Sequence, residues 1–300
     1  MQINYESVID GLEADICEVL QNKARYYRLF EVPKKSGGRR RLAEPLGVLK
    51  KLQKILYQEI FYPKSYLIHP CAYAFVPGRS MKACIEKHQK QPLVVRPDIK
   101  DFFGSVTKQS VTDSLLHLFG MEQETAKTIA DLCVFQDALP QGAVTSPILS
   151  NYVCRRLDRH FSDYCSLHSM EYSRYADDLF FSGDFDPNAL IAYAARILRE
   201  NGGFRINFRK VRVMHQHQRQ IVLGVLVNHH CRLTKEKRRM LRQSLYYMNK
   251  FGLDDFLGRT GWELNSLRGY VSYASYISGE PFLRELEEVI GAGTRSNPSD

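Results

Sequence analysis

The stretch that most narrows the folds open to this chain is Tyr172 to Ser182, Tyr-Ser-Arg-Tyr-Ala-Asp-Asp-Leu-Phe-Phe-Ser, which sets two adjacent carboxylates between strand-forming runs. Aspartate tolerates turn geometry, so the pattern predicts a β-hairpin with Asp177 and Asp178 at its tip. Neighbouring side chains on extended backbone point to opposite faces. The pair therefore does not chelate one ion as equals: one acid projects into a site, its neighbour supports it, and another acid must come from elsewhere. Asp98 is the best candidate, following Leu93-Val94-Val95 and preceding Ile99-Lys100-Asp101-Phe102-Phe103. Hard divalent cations such as Mg2+ take carboxylate oxygens together with substrate phosphates, and strand ends can hold carboxylates for two ions about 3.5 to 4 Å apart. Asp98 with Asp177 would supply that pair.

Composition sets the partner class. With 300 residues, 44% of them hydrophobic, the expectation is one assembly of two or three subdomains without a membrane span. The first twenty residues carry five acids and no continuous apolar block, so neither a signal peptide nor a basic transit peptide is expected, and the cytoplasm is the default. Seven cysteines, an odd number without a Cys-x-x-Cys pair, form neither a disulfide framework nor a zinc site, and most read as core thiols. The formal charge is +9, and between Arg205 and Arg242 eleven Lys or Arg face the single acid Glu236. Such clustering beside a candidate metal site suits phosphate backbones, and cations reconcile the central acids with a polyanion.

Along the chain, residues 5–29 predict an amphipathic helix. Val32 to Leu42 predicts a basic hairpin in which Gly37-Gly38 is flanked by Lys34, Lys35, Arg39, Arg40 and Arg41. Leu46 to Phe61 reads as a helix buried through Leu49, Leu52, Leu56 and Ile60, and His88 as a structural histidine. Leu93 to Ile99 reads as a strand, although Pro97 cannot donate to a ladder and demands a bulge or an unpaired position. Of Phe102 and Phe103, one is core and the other could pack against a bound sugar. Thr107 to Phe135 predicts two helices broken near Gly120. In Leu139 to Pro147, Gly142 permits close backbone approach and Ser146-Pro147 starts a helix running to about Ser162. A helix over 189–200, strands over 204–208 and 221–227, and three helices beyond His229 complete a small antiparallel sheet backed by helices, then a basic helical unit.

Asp98-x-x-x-Phe102-Phe103, Pro140-Gln141-Gly142 with Ser146-Pro147, Tyr175-Ala176-Asp177-Asp178 and Leu223-Gly224, in this order, resemble a reverse transcriptase. The likeness is greatest to the bacterial enzymes of retrons, group II introns and phage-defence systems. It implies an α+β right-hand polymerase: N-terminal helix and fingers over 1–92, a ferredoxin-like palm over 93–228 with a helical insertion at 111–139, and a helical thumb with a short tail over 229–300. It further implies two Mg2+ ions, replaceable by Mn2+, on Asp98, the Ile99 carbonyl, Asp177 and Asp178. Lys34, Lys35, Arg39 and Arg41 would hold the triphosphate, Phe103 would exclude ribonucleotides, and Gln141 and Gly142 would contact nucleotide and template. Lys210 would serve the pyrophosphate side, Leu223-Gly224 would grip the primer end, and Arg238, Arg239 and Arg242 would hold primer and template. The implied partners are a structured noncoding RNA, DNA, dNTPs and a defence effector encoded elsewhere. The retron Asn-Ala-x-x-His and Val-Thr-Gly elements survive only in part, in Cys84 to His88 and Val222-Leu223-Gly224, and no room is expected after the thumb for an RNase H or endonuclease domain; a stand-alone defence enzyme fits these departures best. The alternative is an idle reverse-transcriptase-like scaffold that only holds RNA.

Overall fold

The structure, a computed structural model, describes residues 5–34 and 37–295, with side chains to Gly291. Lys35 lies outside the described residues. The chain divides into two units, one formed by the residues up to Cys84 with Leu93–Val213, the other by Ile85–Pro92 with the chain from Met214 onward.

The first unit opens with helices α1 (Tyr5–Asp10) and α2 (Glu13–Gln21), shorter than the single helix expected over 5–29. From Tyr27 the side chains favour extended backbone, and β1 (Tyr27–Pro33) pairs antiparallel with β2 (Arg39–Pro45) along its whole length. The basic hairpin is thus longer than its loop suggests. Helix α3 (Gly47–Ile55) continues as a π-helical turn over Leu56–Phe61, and Leu49, Leu52, Leu56 and Ile60 are all buried. After α4 (Met81–Glu86) comes β3 (Leu93–Arg96), then α5 (Lys108–Phe119), which ends on Gly120 in the left-handed conformation (φ 68°), and α6 (Gln123–Cys133). The helix expected from Pro147 to Ser162 is two, α7 (Ser146–Val153) and α8 (Arg155–Leu167). The Ser150 hydroxyl donates back to the Pro147 carbonyl at 2.7 Å, a bond that bends helices.

The hairpin of β4 (Glu171–Tyr175) and β5 (Asp178–Gly183), α9 (Pro187–Glu200) and β6 (Arg212–His215) complete a four-stranded sheet ordered β4-β5-β3-β6. The edge strand is 212–215, not the expected 204–208. The earlier segment contributes only a bridge, with Ile206 opposite Ile99. The Pro97 conflict resolves without a bulge: the β3–β5 register runs unbroken from Leu93 opposite Gly183 to Asp98 opposite Asp178. Pro97 faces Leu179, accepts its amide hydrogen at 3.1 Å, and forgoes only the reciprocal bond. Leu93, Val95, Tyr172, Leu179 and Phe181 join Leu157 and Phe161 of α8 in the main core, so helices back one face of the sheet.

In the second unit, β7 (Ile221–Val222), β8 (Val225–Leu226) and β9 (Arg232–Leu233) form a three-stranded antiparallel sheet. The sequence pattern predicts one strand over 221–227, and none at 232. Leu223 and Gly224 both have positive φ (49° and 80°), so the run folds into a two-residue hairpin of the type that suits strand twist. Helices α10 (Lys235–Phe251), α11 (Leu253–Thr260), α12 (Leu264–Ser278) and α13 (Phe282–Arg295) pack around Leu241, Leu245, Met248, Phe256, Leu267, Val271 and Leu286. The fourth helix, α11, arises because Gly252 (φ 92°) breaks the basic helix before Leu253. Six of the seven cysteines are buried in the manner of core thiols, Cys17 is exposed, and none is in a disulfide. No helix among the described residues is long and apolar enough to cross a membrane.

Candidate active site

The site sits where β3 meets the β4–β5 turn. Tyr175 pairs with Asp178, leaving Ala176 and Asp177 as a two-residue turn in which Ala176 carries a positive φ of 57°. Such backbone is strained for a residue with a Cβ, and strain of this kind persists only where surrounding structure enforces it. The Ile99 amide donates to the Asp177 carbonyl at 3.0 Å, which ties the turn to the chain just after Asp98. On the other side Asn207 donates to the Asp98 carbonyl at 2.8 Å and Lys100 to the Arg205 carbonyl at 2.8 Å. Asp98 is thus held by backbone on both flanks.

Register decides which acids share a face. Asp98 and Asp178 are directly opposed in an antiparallel pair and project to the same side, with Arg96 two residues before Asp98 on that side as well. The sequence reading pairs Asp98 with Asp177; in the structure Asp178 is the acid that register sets opposite Asp98, while Asp177 occupies the turn. Asp98 is buried, its side chain 6% exposed. Lys210 donates to both of its oxygens, at 3.0 and 3.3 Å. Arg96 Nε lies 3.7 Å from Asp178 Oδ1. Burial pushes the Asp178 carboxyl up to about 6, against the pull of Arg96 and with the push of Asp177 and Asp98. Asp177 is raised for the same reason, burial first, with a backbone hydrogen bond opposing it and the charge of Asp98 adding to it; Lys210 and Arg40 pull it back.

Two partly buried acids whose pKa values are raised, beside a buried third compensated by an ammonium, form a site short of positive charge. Among the described residues no three His, Cys, Asp or Glu side chains converge as a ready-made metal cage. That arrangement fits a hard divalent cation, which takes one or two carboxylates and completes its shell with water and substrate phosphates.

An open cleft of about 830 Å³ in the same unit is lined by Lys34, Arg39, Arg40, Arg41, Asp101, Gly104 and Gln141. Arg39 and Arg41, one face of β2, each reach Glu31 at 3.3 Å. Arg40 projects from the other face, and it is the hairpin arginine whose charge acts on Asp177. Sequence reasoning does not single out Arg40 or Arg96 as site residues. The period of two along β2 separates Arg40 from its neighbours, and Arg96 stands two residues from Asp98, so both are within reach of the alternation rule. The Gln141 carbonyl accepts from Ala43 of β2 at 2.8 Å. Gly142 (φ 112°) has room for a Cβ only at 3.3 Å from the Ala43 carbonyl oxygen, so the close approach expected of it is made to β2. Phe102 is buried with its ring 6.0 Å from that of Phe204, while Phe103 is half-buried with its ring 5.3 Å from that of Phe102.

The remaining candidates lie in the second unit. A Cβ on Gly224 would stand 3.3 Å from Lys237 Nζ, so an ammonium covers the Leu223-Gly224 turn, another contact the sequence does not reveal. Arg238 and Arg242 both reach Glu280, at 3.8 and 2.9 Å, and Arg239 is exposed.

Residues 32–240 match the pattern of the reverse transcriptase (RNA-dependent DNA polymerase) family. Among curated relatives, the chain is 38% identical over 247 residues to the retron Mx65 reverse transcriptase of Myxococcus xanthus, covering 75% of this chain and 57% of that protein. It is 30% identical to the retron Mx162 reverse transcriptase of the same organism, covering 89% of this chain and 61% of the relative. The chain therefore spans about three fifths of the length of these two relatives. With the retron Ec83 reverse transcriptase of Escherichia coli it shares 26% identity over 98% of its own length and 96% of the other's. These relatives bring the retron group forward, over the stand-alone enzyme that the departures in two motifs favour. In fold, it superposes on telomerase from Candida albicans solved with a fragment of telomeric RNA, with a TM-score of 0.55 at 10% identity, over 97% of this chain and 61% of that one. Mixed helix and sheet, an acid-bearing hairpin locked against Asp98 and a family match across most of its length lead to one conclusion: the chain belongs to the reverse transcriptase family.

Proposed function

We propose that the protein is an RNA-directed DNA polymerase that copies a structured noncoding RNA into DNA within a bacterial retron. The observation that carries this reading is the register that opposes Asp98 to Asp178 while the turn between β4 and β5 presents Asp177 beside them. In this reading the four-stranded sheet is the palm, the basic β1–β2 hairpin with its helices the fingers, and α10 to α13 the thumb. The likeness to retron reverse transcriptases and to telomerase solved with RNA supports a noncoding RNA as the template; a defence effector encoded elsewhere belongs to the same reading as a further partner.

Asp98, Asp177, Asp178 and the Ile99 carbonyl would hold two Mg2+ ions, with Mn2+ as a substitute. The chemistry that such a pair supplies is activation of the primer hydroxyl and stabilisation of the departing pyrophosphate. Lys210 compensates Asp98 in the nucleotide-free protein, and its side chain, 50% exposed, can turn to phosphate oxygens. Lys34, Lys35, Arg39 and Arg41, joined by Arg40, neutralise the triphosphate in the cleft, and Gln141 and Gly142 position the nucleotide against its template. Phe103 walls the sugar and disfavours a 2′-hydroxyl. In the second unit, the Leu223-Gly224 turn and Arg238, Arg239 and Arg242 bind primer and template.

Purified protein with its co-purifying RNA, labelled dNTPs and Mg2+ is expected to yield DNase-sensitive product that the Asp177→Asn, Asp178→Asn double variant does not make. Absence of product from the wild type, even with primer and template supplied, would replace the polymerase with an RNA-binding scaffold.

A further inference from the structure

Behind the catalytic turn lies an ion pair that the chemistry above does not use. Arg174 of β4 and Asp158 of α8 are both wholly buried, at 0% side-chain exposure. Arg174 Nε donates to Asp158 Oδ1 at 2.8 Å and Nη2 to Oδ2 at 2.7 Å, a fork on a fork, while the Tyr172 hydroxyl donates to Oδ1 at 2.9 Å. The remaining terminal nitrogen, Nη1, donates to the carbonyl of Ala176 at 3.3 Å. Ala176 is the turn residue with positive φ, immediately before Asp177.

The backbone of Arg174 is fixed as well. Its amide donates to the Cys71 carbonyl at 2.8 Å, and its carbonyl accepts from Tyr73 at 2.9 Å. Pairing of Arg174 with Leu179 and of Tyr175 with Asp178 puts the guanidinium on the face of the sheet opposite Asp98 and Asp178. It has no access to substrate from there.

A buried ion pair is weak as a stabilising device, because desolvation of both charges offsets their attraction and apolar replacements often do as well. What apolar side chains cannot supply is a donor aimed at one carbonyl of a strained turn. We infer that Arg174, braced by Asp158 and Tyr172, is a positioning residue that holds the Ala176 carbonyl and thereby sets Asp177 and Asp178 for divalent-ion binding. The inference rests on the polymerase reading only in the use to which the bound ions are put. Outer partners of metal ligands are worth about 10- to 100-fold in affinity or activity.

The test compares the full-length wild type with Arg174→Lys and with the double variant Asp158→Leu, Arg174→Met. Lysine keeps the charge opposite Asp158, but one nitrogen cannot serve both carboxylate oxygens and the Ala176 carbonyl. The apolar pair removes both charges together, and thermal melts with near-ultraviolet circular dichroism establish that it folds. Mn2+ binding is read by electron paramagnetic resonance on nucleotide-free protein, and the Mg2+ concentration for half-maximal dNTP incorporation is read beside it. Both variants are expected to bind Mn2+ about tenfold more weakly and to need correspondingly more Mg2+, with incorporation recovering as metal is raised. Wild-type Mn2+ binding and Mg2+ demand in folded Arg174→Lys would overturn the inference, whatever the double variant does. A wild type that binds Mn2+ but makes no DNA would sink the polymerase reading alone, and the shift in Mn2+ affinity would still decide the role of Arg174.

Discussion

At the scale of single residues, the carboxylates have a cost that can be measured without any substrate. Asp178 is raised to about 6 by burial, from an ordinary value of 3.8. The folded protein therefore holds this proton more tightly than the unfolded chain does, and stability is lost as pH rises from the unfolded value through the folded one. In metal-free buffer at pH 7.5, Asp178→Asn is expected to stabilise the fold by on the order of 2 kcal/mol, with the gain vanishing near pH 4. Urea titrations at the two pH values check this, and an Asn variant no more stable than the wild type at pH 7.5 would contradict the assigned environment. The same substitution should depress incorporation. Local pattern singles out Asp98, Asp177 and Asp178 because an acid doublet between strand formers, with a further acid at an earlier strand end, has few other reasons to occur. Alternation puts Arg96 and Arg40 within reach without saying what they face, and no local pattern reveals Lys237, whose place over the Leu223-Gly224 turn depends on contacts in space.

At the scale of elements, Gln141-Gly142 and the basic hairpin work as one piece, because the Ala43 amide bonds the Gln141 carbonyl and Gly142 abuts the Ala43 carbonyl. A methyl group at Gly142 meets backbone at 3.3 Å, and φ of 112° is poorly tolerated by any side chain. Gly142→Ala should cost about 1 to 3 kcal/mol and, by shifting β2 against Gln141, raise the KM for dNTPs more than it lowers kcat. An unchanged KM in a folded variant would separate the hairpin from nucleotide binding. The elements misread from sequence share a cause. The run 221–227 looks like one strand because Leu223 has no turn preference, and only the pairing of Val222 with Val225 forces it to positive φ. The strand expected over 204–208 is likewise settled by what faces it: its backbone meets the chain after Pro97 only at the Ile206–Ile99 bridge and through the bonds of Asn207 to the Asp98 carbonyl and of Lys100 to the Arg205 carbonyl.

At the scale of the whole molecule, charge and burial give two further expectations. With a net charge of +9, binding to single-stranded RNA should weaken steeply with salt, and Arg239→Gln should reduce the slope of log K against log salt by about 0.7, as for one phosphate contact. Filter binding across a salt series measures it, and an unchanged slope would remove Arg239 from the interface. His88 is wholly buried, and burial, with Lys87 adding to it, lowers its pKa from 6.5 to about 3. A histidine so depressed contributes stability that is complete above pH 6.5 and is lost as pH falls toward 3, because the unfolded chain takes the proton first. Stability should therefore decline below pH 6.5, and His88→Leu should flatten that decline; an equally steep profile would show that other groups carry it. Local pattern suffices for the family and the mixed helix-and-sheet class, and it nominates the candidate acids and basic stretches, since each depends on alternation, turn chemistry, helical spacing and the order of short motifs. Tertiary structure alone decided which acid opposes which, how Pro97 is accommodated in an inner strand, and that Arg174 and Asp158 meet behind the turn, because register and buried pairing join residues far apart in the chain through contacts that no local preference encodes.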